Sequence, residues 1–400
     1  MQTRLRWRRA SVIVAGVCAG IAGSVTASQT DGPSALRASA SYPRFDRVLP
    51  LEMTAETSAN VSIGDLDGDG HLDLVLAKGR HWPLVDRVLI GDGHGHIARA
   101  YNLGESADRT YSGLLADLDR DGDLDVVISN DAPDPKRIYL NDGRGQFREG
   151  STFGRARWET RHVSVADVDG DGWPDIIVAN RPSFTEGRPQ SDAANFICLN
   201  RGGGRFDADC APLSLEPSTT ITAVDINHDR LIDLVVPYRD RGQSHVYLNT
   251  GHGTFDSARR VPFGPADARI RMTESGDLDG DGTVDLVAID EARGVAIYFG
   301  RKDGAFSKAL QVAGGKVTPY ALAVRDINLD GTLDILVGHV EAPSTIFFND
   351  GSGRRYTPVS FGDAKGTVYG FAVGDLDEDG WPDIAVARSD APNVVFFSSR

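Results

Sequence analysis

Cysteine is scarce, with three in 400 residues, too few for a disulfide-built scaffold or a cysteine-rich zinc module. Beyond the N-terminal segment no apolar run is long enough to span a bilayer. No basic stripe relieves a net charge of −15, which argues against a nucleic-acid-binding protein. G-x-S-x-G, H-E-x-x-H and phosphate-loop motifs are absent. Of nine histidines, His71 and His228 fall in aspartate-rich loops, and His94, His96 and His252 fall in turns. His81, His162, His245 and His339 show no catalytic spacing. Amphipathic helical periodicity is missing too, so helix bundles and doubly wound α/β folds are excluded.

The first residues carry Arg4, Arg6, Arg8 and Arg9 ahead of an apolar, small-residue run from Ala10 to Val25. With the small-x-small triplet Val25-Thr26-Ala27, residues 1–27 read as a cleaved signal peptide. Residues 28–41 read as a Ser/Ala-rich flexible lead-in, and 42–400 as one domain. That places the protein in the periplasm, at the cell surface or outside the cell. An oxidising destination permits a Cys198–Cys210 disulfide across one hairpin. Alternatively, Cys198 simply packs where sister segments place Leu89, Tyr139 and Tyr247.

What is abundant is aspartate, and it repeats. Asp65-Leu-Asp67-Gly-Asp69-Gly70-His71-Leu-Asp73 recurs from Asp117, Asp167, Asp225, Asp277, Asp326 and Asp375, at steps of 52, 50, 58, 52, 49 and 49 residues. A repeat of that length fits one four-stranded propeller blade. Before each loop lies an alternating run such as Val163–Val165, and after it a dense apolar run such as Ile176–Ala179. A third run (Arg137–Asn141, His245–Asn249) leads through a Gly-rich turn to an aromatic, Phe147 or Phe255, that opens a fourth. The last copy ends after its third run, Val394–Phe397, while Tyr42–Leu49 resembles a fourth. The expected fold is therefore all-β: a seven-bladed propeller closed by the N-terminal strand, which removes exposed edges.

Aspartates at positions one, three, five and nine are hard oxygen donors for calcium; glycine at six permits the tight turn, and position seven offers a backbone carbonyl. The candidate metal ligands are Asp65, Asp67, Asp69, His71 and Asp73, then Asp117, Asp119, Asp121, Asp123 and Asp125. The third repeat offers Asp167, Asp169, Asp171, Trp173 and Asp175, and the fourth Asp225, Asn227, Asp229 and Asp233. The fifth contributes Asp277, Asp279, Asp281, Thr283 and Asp285, and the sixth Asp326, Asn328, Asp330, Thr332 and Asp334. The seventh holds Asp375, Asp377, Asp379, Trp381 and Asp383. An EF-hand is excluded: position twelve is apolar (Leu76, Ile128, Val178) and strands flank the loop. Twenty-six of 57 acidic residues are loop aspartates, and the other 31 are outnumbered by 38 basic residues once the four N-terminal arginines are set aside. The acidity is site charge, consistent with about six or seven bound calcium ions. In the fourth loop Arg230 replaces glycine and Asn227 removes a charge, so this site should be weakest or empty. The sixth keeps Gly331 beside Asn328 and should be intermediate.

At these residues the chain resembles the FG-GAP and VCBS repeat family, the propeller type of integrin α-subunits, over about residues 42 to 400. The resemblance implies a calcium-stabilised propeller acting in adhesion or ligand recognition; integrins carry the motif in some blades only, whereas here every blade has a version.

Six residues before each first aspartate stand Ala59, Tyr111, Arg161, Thr219, Arg271, Tyr320 and Tyr369, equivalent positions expected at one mouth of the channel. Tyr111, Arg161, Arg271, Tyr320 and Tyr369, with His81 and Trp82 on a nearby loop, are candidate ligand-binding residues for a sugar, a peptide carboxylate or another anion. The long loop from Asn180 to Asn195, with Arg181, Phe184, Glu186, Arg188 and Gln190, lies at the same rim. The function expected is non-enzymatic recognition by a monomer of an extracellular protein or glycan. A propeller-based polysaccharide lyase or hydrolase and a structural subunit are the alternatives.

Overall fold

The computed structural model describes residues 42–181, 195–240, 242–314 and 316–400. The expected signal peptide and lead-in lie outside these residues, as do Phe184, Glu186, Arg188 and Gln190. The chain folds as seven antiparallel four-stranded sheets, six of them consecutive segments, arranged as a propeller. Blade 2 shows the pattern: Thr110–Ala116, Asp125–Asn130, Lys136–Asn141 and Phe147–Phe153 follow one another from the axis outward. Second strands such as Asp125–Asn130 are buried along their whole length, whereas the outermost strand is mostly exposed or half-buried. That is why the second run reads as continuously apolar and the fourth as mixed.

The seventh blade is a composite. Thr367–Gly374, Asp383–Ser389 and Val394–Ser399 are completed by Arg44–Pro50, which pairs antiparallel with Val394–Ser399 in the register Val48↔Phe396 and Leu49↔Val395. Phe45 lies 5.1 Å from the Phe361 ring and Tyr42 stacks on Phe348 at 4.4 Å. The closing strand is thus fastened to the sixth blade as well as the seventh.

The apolar core lies between blades. Leu114, Ile138 and Phe153 of blade 2 pack against Val163, Ile176 and Val178 of blade 3, and the other junctions repeat the arrangement. Blade 4 is the least regular, with strands of three or four residues (Thr222–Val224, Asp233–Val236, Ser244–Tyr247, Val261–Phe263).

Each first strand runs from one face of the ring to its aspartate loop on the other. Six residues separate the two ends, about 20 Å at strand rise. The faces therefore carry separate chemistry.

Candidate functional site

Each aspartate loop is a knot of side-chain-to-backbone hydrogen bonds, and the seven copies share it. The first aspartate accepts from the amide of position six at 2.8–3.1 Å in all seven, for example Gly70 N to Asp65. The fifth accepts from the amide of position seven at 2.8–3.0 Å, as His71 N to Asp69. The ninth is fully buried and accepts twice at 2.7–3.1 Å: from position two of its own loop and from the end of the third strand, as Leu66 N and Gly91 N to Asp73. Local capping of this kind is what short acidic side chains do in turns.

The third position is capped less uniformly: Asp169 and Asp377 accept from the amide two residues on at 3.1 and 3.4 Å. In five loops it is brought within 4.8 Å of the first and ninth: Asp65–Asp67–Asp73, Asp117–Asp119–Asp125, Asp167–Asp169–Asp175, Asp277–Asp279–Asp285 and Asp375–Asp377–Asp383. Buried oxygens of Asp67, Asp117, Asp119 and Asp279 have no hydrogen-bond partner. Burial pushes the ninth carboxyl up to about 7 in Asp73, Asp125, Asp175, Asp334 and Asp383 and to about 6 in Asp233 and Asp285, with neighbouring loop aspartates adding to the rise. Orphaned acceptors and crowded carboxylates fit a hard divalent cation. Side chains of the fifth position (Asp69, Asp121, Asp171, Asp281, Asp379) fall outside these clusters.

Loops four and six close differently. Asn227 and Asn328 donate their amides to Asp229 and Asp330 at 3.0 Å, so an amide-to-carboxylate hydrogen bond stands where other loops hold facing carboxylates. Arg230 adopts φ 72° where the other loops have glycine. Position four is also left-handed throughout, occupied by Gly68, Arg120, Gly170, His228, Gly280, Leu329 and Glu378. Only the fourth loop lacks glycine at both of these positions.

At the opposite face the seven register-matched residues converge. Ala59, Tyr111, Arg161, Thr219, Arg271, Tyr320 and Tyr369 all line one cavity of about 290 Å³. The device that places them is a bulge. In six blades the pairing of the first two strands skips one residue, as Thr110↔Asn130 followed by Ser112↔Ser129. The skipped residues are Ala59, Tyr111, Arg161, Arg271, Tyr320 and Tyr369. A bulge re-aims one side chain out of the sheet alternation, here into the mouth.

The mouth is an arc of alternating cations and phenols. Arg161 lies 4.5 Å from the Tyr111 ring, and Arg80 lies 5.4 Å from Tyr111 and 3.9 Å from Tyr369, whose hydroxyl it also contacts. Tyr369 meets Tyr320 edge-on at 4.7 Å, and Arg271 lies 3.3 Å over Tyr320. Burial raises the Tyr320 phenol, but the charges of Arg271 and Arg80 outweigh it and hold the group below its ordinary value. Arg271 is lowered to about 10 by burial. His81, hydrogen-bonded to the Tyr111 hydroxyl at 3.1 Å, is lowered by burial and then by Arg80 and Arg161. Trp82 is not in the cavity; it stands 68% exposed on the rim.

Sequence reasoning missed Arg80 and Arg239, which line the same cavity with Arg181 of the long rim loop; the three come from loops of unequal length and so share no register. It also gave no role to the asparagines that end third strands. Asn141, Asn200, Asn249 and Asn349 donate to Leu66, Leu118, Val168 and Leu278 carbonyls, each clipping its blade to the aspartate loop of the preceding one. Cys198 pairs with Ile176 as Tyr139 pairs with Val126, and it is also bonded to Cys210; packing and disulfide coexist. The histidines are taken up locally: His71 by Glu378, His96 by Asp92 and His339 by the Pro343 carbonyl. Among the described residues, none is hydrogen-bonded to a serine or cysteine that it could activate. No helix among them is long and apolar enough to cross a membrane.

The repeats match the FG-GAP-like repeat model over residues 65–128, 117–178, 225–288, 277–337 and 326–386, more than half of the chain. The chain belongs to the FG-GAP-like repeat family. Among solved structures this FG-GAP propeller is similar to BBS1N in complex with ARL6DN, in a lead-soaked crystal, at 15% identity and TM-score 0.58, covering 89% of this chain and 97% of that one. A mercury-soaked crystal of the same complex gives 13%, 0.60, 88% and 96%. The Dos1 propeller gives 9%, 0.51, 88% and 94%.

Two expectations are corrected by these likenesses. A monomer directed at an extracellular protein or glycan does not follow from the architecture, because the same fold in BBS1N is held in a complex with ARL6DN. The expectation of secretion, a periplasmic site or surface display is corrected as well: the solved propellers that share this fold are BBS1N, in complex with ARL6DN, and Dos1. The physical reason is common to both: a loop that staples a blade is indifferent to the compartment and partner of the finished ring.

Proposed function

We propose that this chain is a non-enzymatic interaction scaffold, a single domain over residues 42–400 whose aspartate loops bind calcium and whose opposite face docks a partner protein. The observation that carries the docking assignment is the convergence of Arg80, Arg161, Arg181, Arg239 and Arg271 with Tyr111, Tyr320 and Tyr369 in one mouth. Around that mouth, on the links and loops of the same face, stand the exposed side chains of Met53, Trp82, Leu215 and Val317. Tyr, Trp and Arg at a centre with apolar neighbours make up the composition of binding hot spots.

Calcium supplies the structural half. Carboxylates of the first, third and ninth positions hold the ion in five loops, with the carbonyl of position seven as a further donor. Loops four and six, with asparagine at position three, fill later. Bound ions neutralise the clusters and rigidify the ends of the first strands, so the mouth some 20 Å away is built on a fixed frame.

Two experiments test the two halves. Calcium titration by calorimetry, with thermal melts in chelator, should find at least five sites and a lower melting temperature without metal; fewer than four sites or no shift refutes the metal assignment. A photo-crosslinking side chain at position 82 should capture a reproducible partner that one at position 329, on the aspartate face, does not. Equal capture from both positions refutes the docking assignment.

A further inference from the structure

The charges around the mouth set what it accepts. Five guanidiniums line the cavity. Behind them, Asp131 and Glu159 face Arg161, Asp240 faces Arg181, and Glu291 is shared by Arg239 and Arg271. Glu274 also lines the cavity; burial raises its carboxyl, and the charge of Arg325 opposes that rise. Four carboxylates therefore serve five arginines, and among the described residues Arg80 faces only phenols, those of Tyr111 and Tyr369.

The donors are incomplete as well. Arg271 is 7% exposed, yet its Nη1 has no hydrogen-bond acceptor, and the nearest carboxylate oxygen, on Glu291, is 3.6 Å away. Arg80 Nε is also buried without an acceptor. Buried guanidinium N–H groups are costly when unsatisfied. The bulges bring both edges of this gap together: Tyr369 contacts Arg80 on one side and Tyr320 on the other, and Tyr320 carries Arg271.

We propose that the mouth is a carboxylate site, taking one acidic side chain or chain terminus of the docked polypeptide at the Arg80–Tyr369–Tyr320–Arg271 arc. The inference rests on the docking reading above and specifies the ligand chemistry. Among the described residues a single surplus positive charge matches a monoanion; a phosphate dianion would leave a negative excess in a partly buried site. Guanidinium groups and phenol hydroxyls supply charge-assisted hydrogen bonds, and the rings exclude water from one side. Tyr111, at the far end of the arc, is held by His81 and Arg161 and frames the cavity.

The test uses the whole chain in calcium buffer. A fluorescein-labelled hexaglutamate peptide is followed by anisotropy, beside its hexaglutamine counterpart, with a phosphoserine peptide and inorganic phosphate as competitors. Hexaglutamate should bind and hexaglutamine should not, and Arg80→Gln should weaken binding about tenfold or more, the worth of a charge-assisted hydrogen bond. Arg144→Gln, on the aspartate face, should leave it unchanged. Tyr369→Phe, which removes one hydroxyl and keeps the ring, gives a second reading should Arg80→Gln lower the melting temperature. Equal binding of the two peptides, equal loss in Arg144→Gln, no loss in either mouth variant, or tighter competition by the phosphoserine peptide or inorganic phosphate overturns the carboxylate assignment. Crosslinking from position 82 survives those failures if only the ligand chemistry is wrong, and is lost if the docking face itself is wrong.

Discussion

Calcium binding should release protons, and the number is set by the ninth aspartates. In the metal-free chain burial holds five of them at about 7 and two at about 6. At pH 6.5 the first five are mostly protonated and the other two mostly ionised, and a cation binds the ionised form. Saturation should then expel about four protons per chain at pH 6.5 and almost none at pH 8.5. Titration calorimetry in two buffers of unequal ionisation enthalpy reads this directly from the difference in apparent heat. The stability trend carries the same signature. Each folded-state value lies above the ordinary aspartate value of 3.8, so in chelator the ninth carboxyls favour the fold at low pH. That support is lost as pH rises through about 7. Excess calcium should reverse the slope, because the ion requires ionised ligands. Identical heats in the two buffers at pH 6.5, or a chelated melting temperature that climbs from pH 5 to pH 8, would refute the assignment of the ninth aspartate as a buried ligand.

Three substitutions probe other parts of the frame. Arg230→Gly, at φ 72°, should stabilise the calcium-free protein by about 1 kcal/mol in a denaturant melt by relieving a left-handed non-glycine residue; a loss would mean that the Arg230 side chain has a supporting role. Asn141→Ala removes an amide that donates to the Leu66 and Leu124 carbonyls at 2.8 and 3.1 Å, and should cost about 2 kcal/mol, with hydrogen exchange rising at the loop of the preceding blade. Phe45→Ala empties a contact between the closing strand and blade six, and should cost about 3 kcal/mol; an unchanged melt would show that closure depends on backbone pairing alone.

Much of this architecture is legible in the sequence because the aspartate loop is a ruler. It marks the start of every second strand, fixes register across copies, and so located all seven mouth residues without a structure. The bulge that turns Tyr111 or Arg271 into the mouth is not legible, since one residue skipped in pairing leaves alternation in the chain unchanged. Position four of the loop escaped notice because Arg120, His228, Leu329 and Glu378 occupy its left-handed conformation alongside glycines. The fifth aspartate looked like a ligand by spacing; it caps a backbone amide and lies outside the three-carboxylate clusters. Arg80, Arg181 and Arg239 arrive from loops of unequal length, and only three-dimensional closure brings them together. The sites of the asparagine clips were visible as a repeated letter, yet their partners lie 71 to 82 residues away in sequence.

The composite seventh blade makes the ring separable at one place. Arg44–Pro50 is held by pairing with Val394–Ser399 and by ring contacts to blade six, and not by neighbours in sequence. A chain shortened to begin after this strand would offer Val394–Ser399 as an open edge. A synthetic peptide of the strand's sequence could then restore the ring in trans, and two full chains at high concentration could exchange these strands and form a domain-swapped dimer. The strand is therefore a natural handle for split-protein complementation: a short tag whose docking reports, by itself, whether the other twenty-seven strands of the described residues have formed.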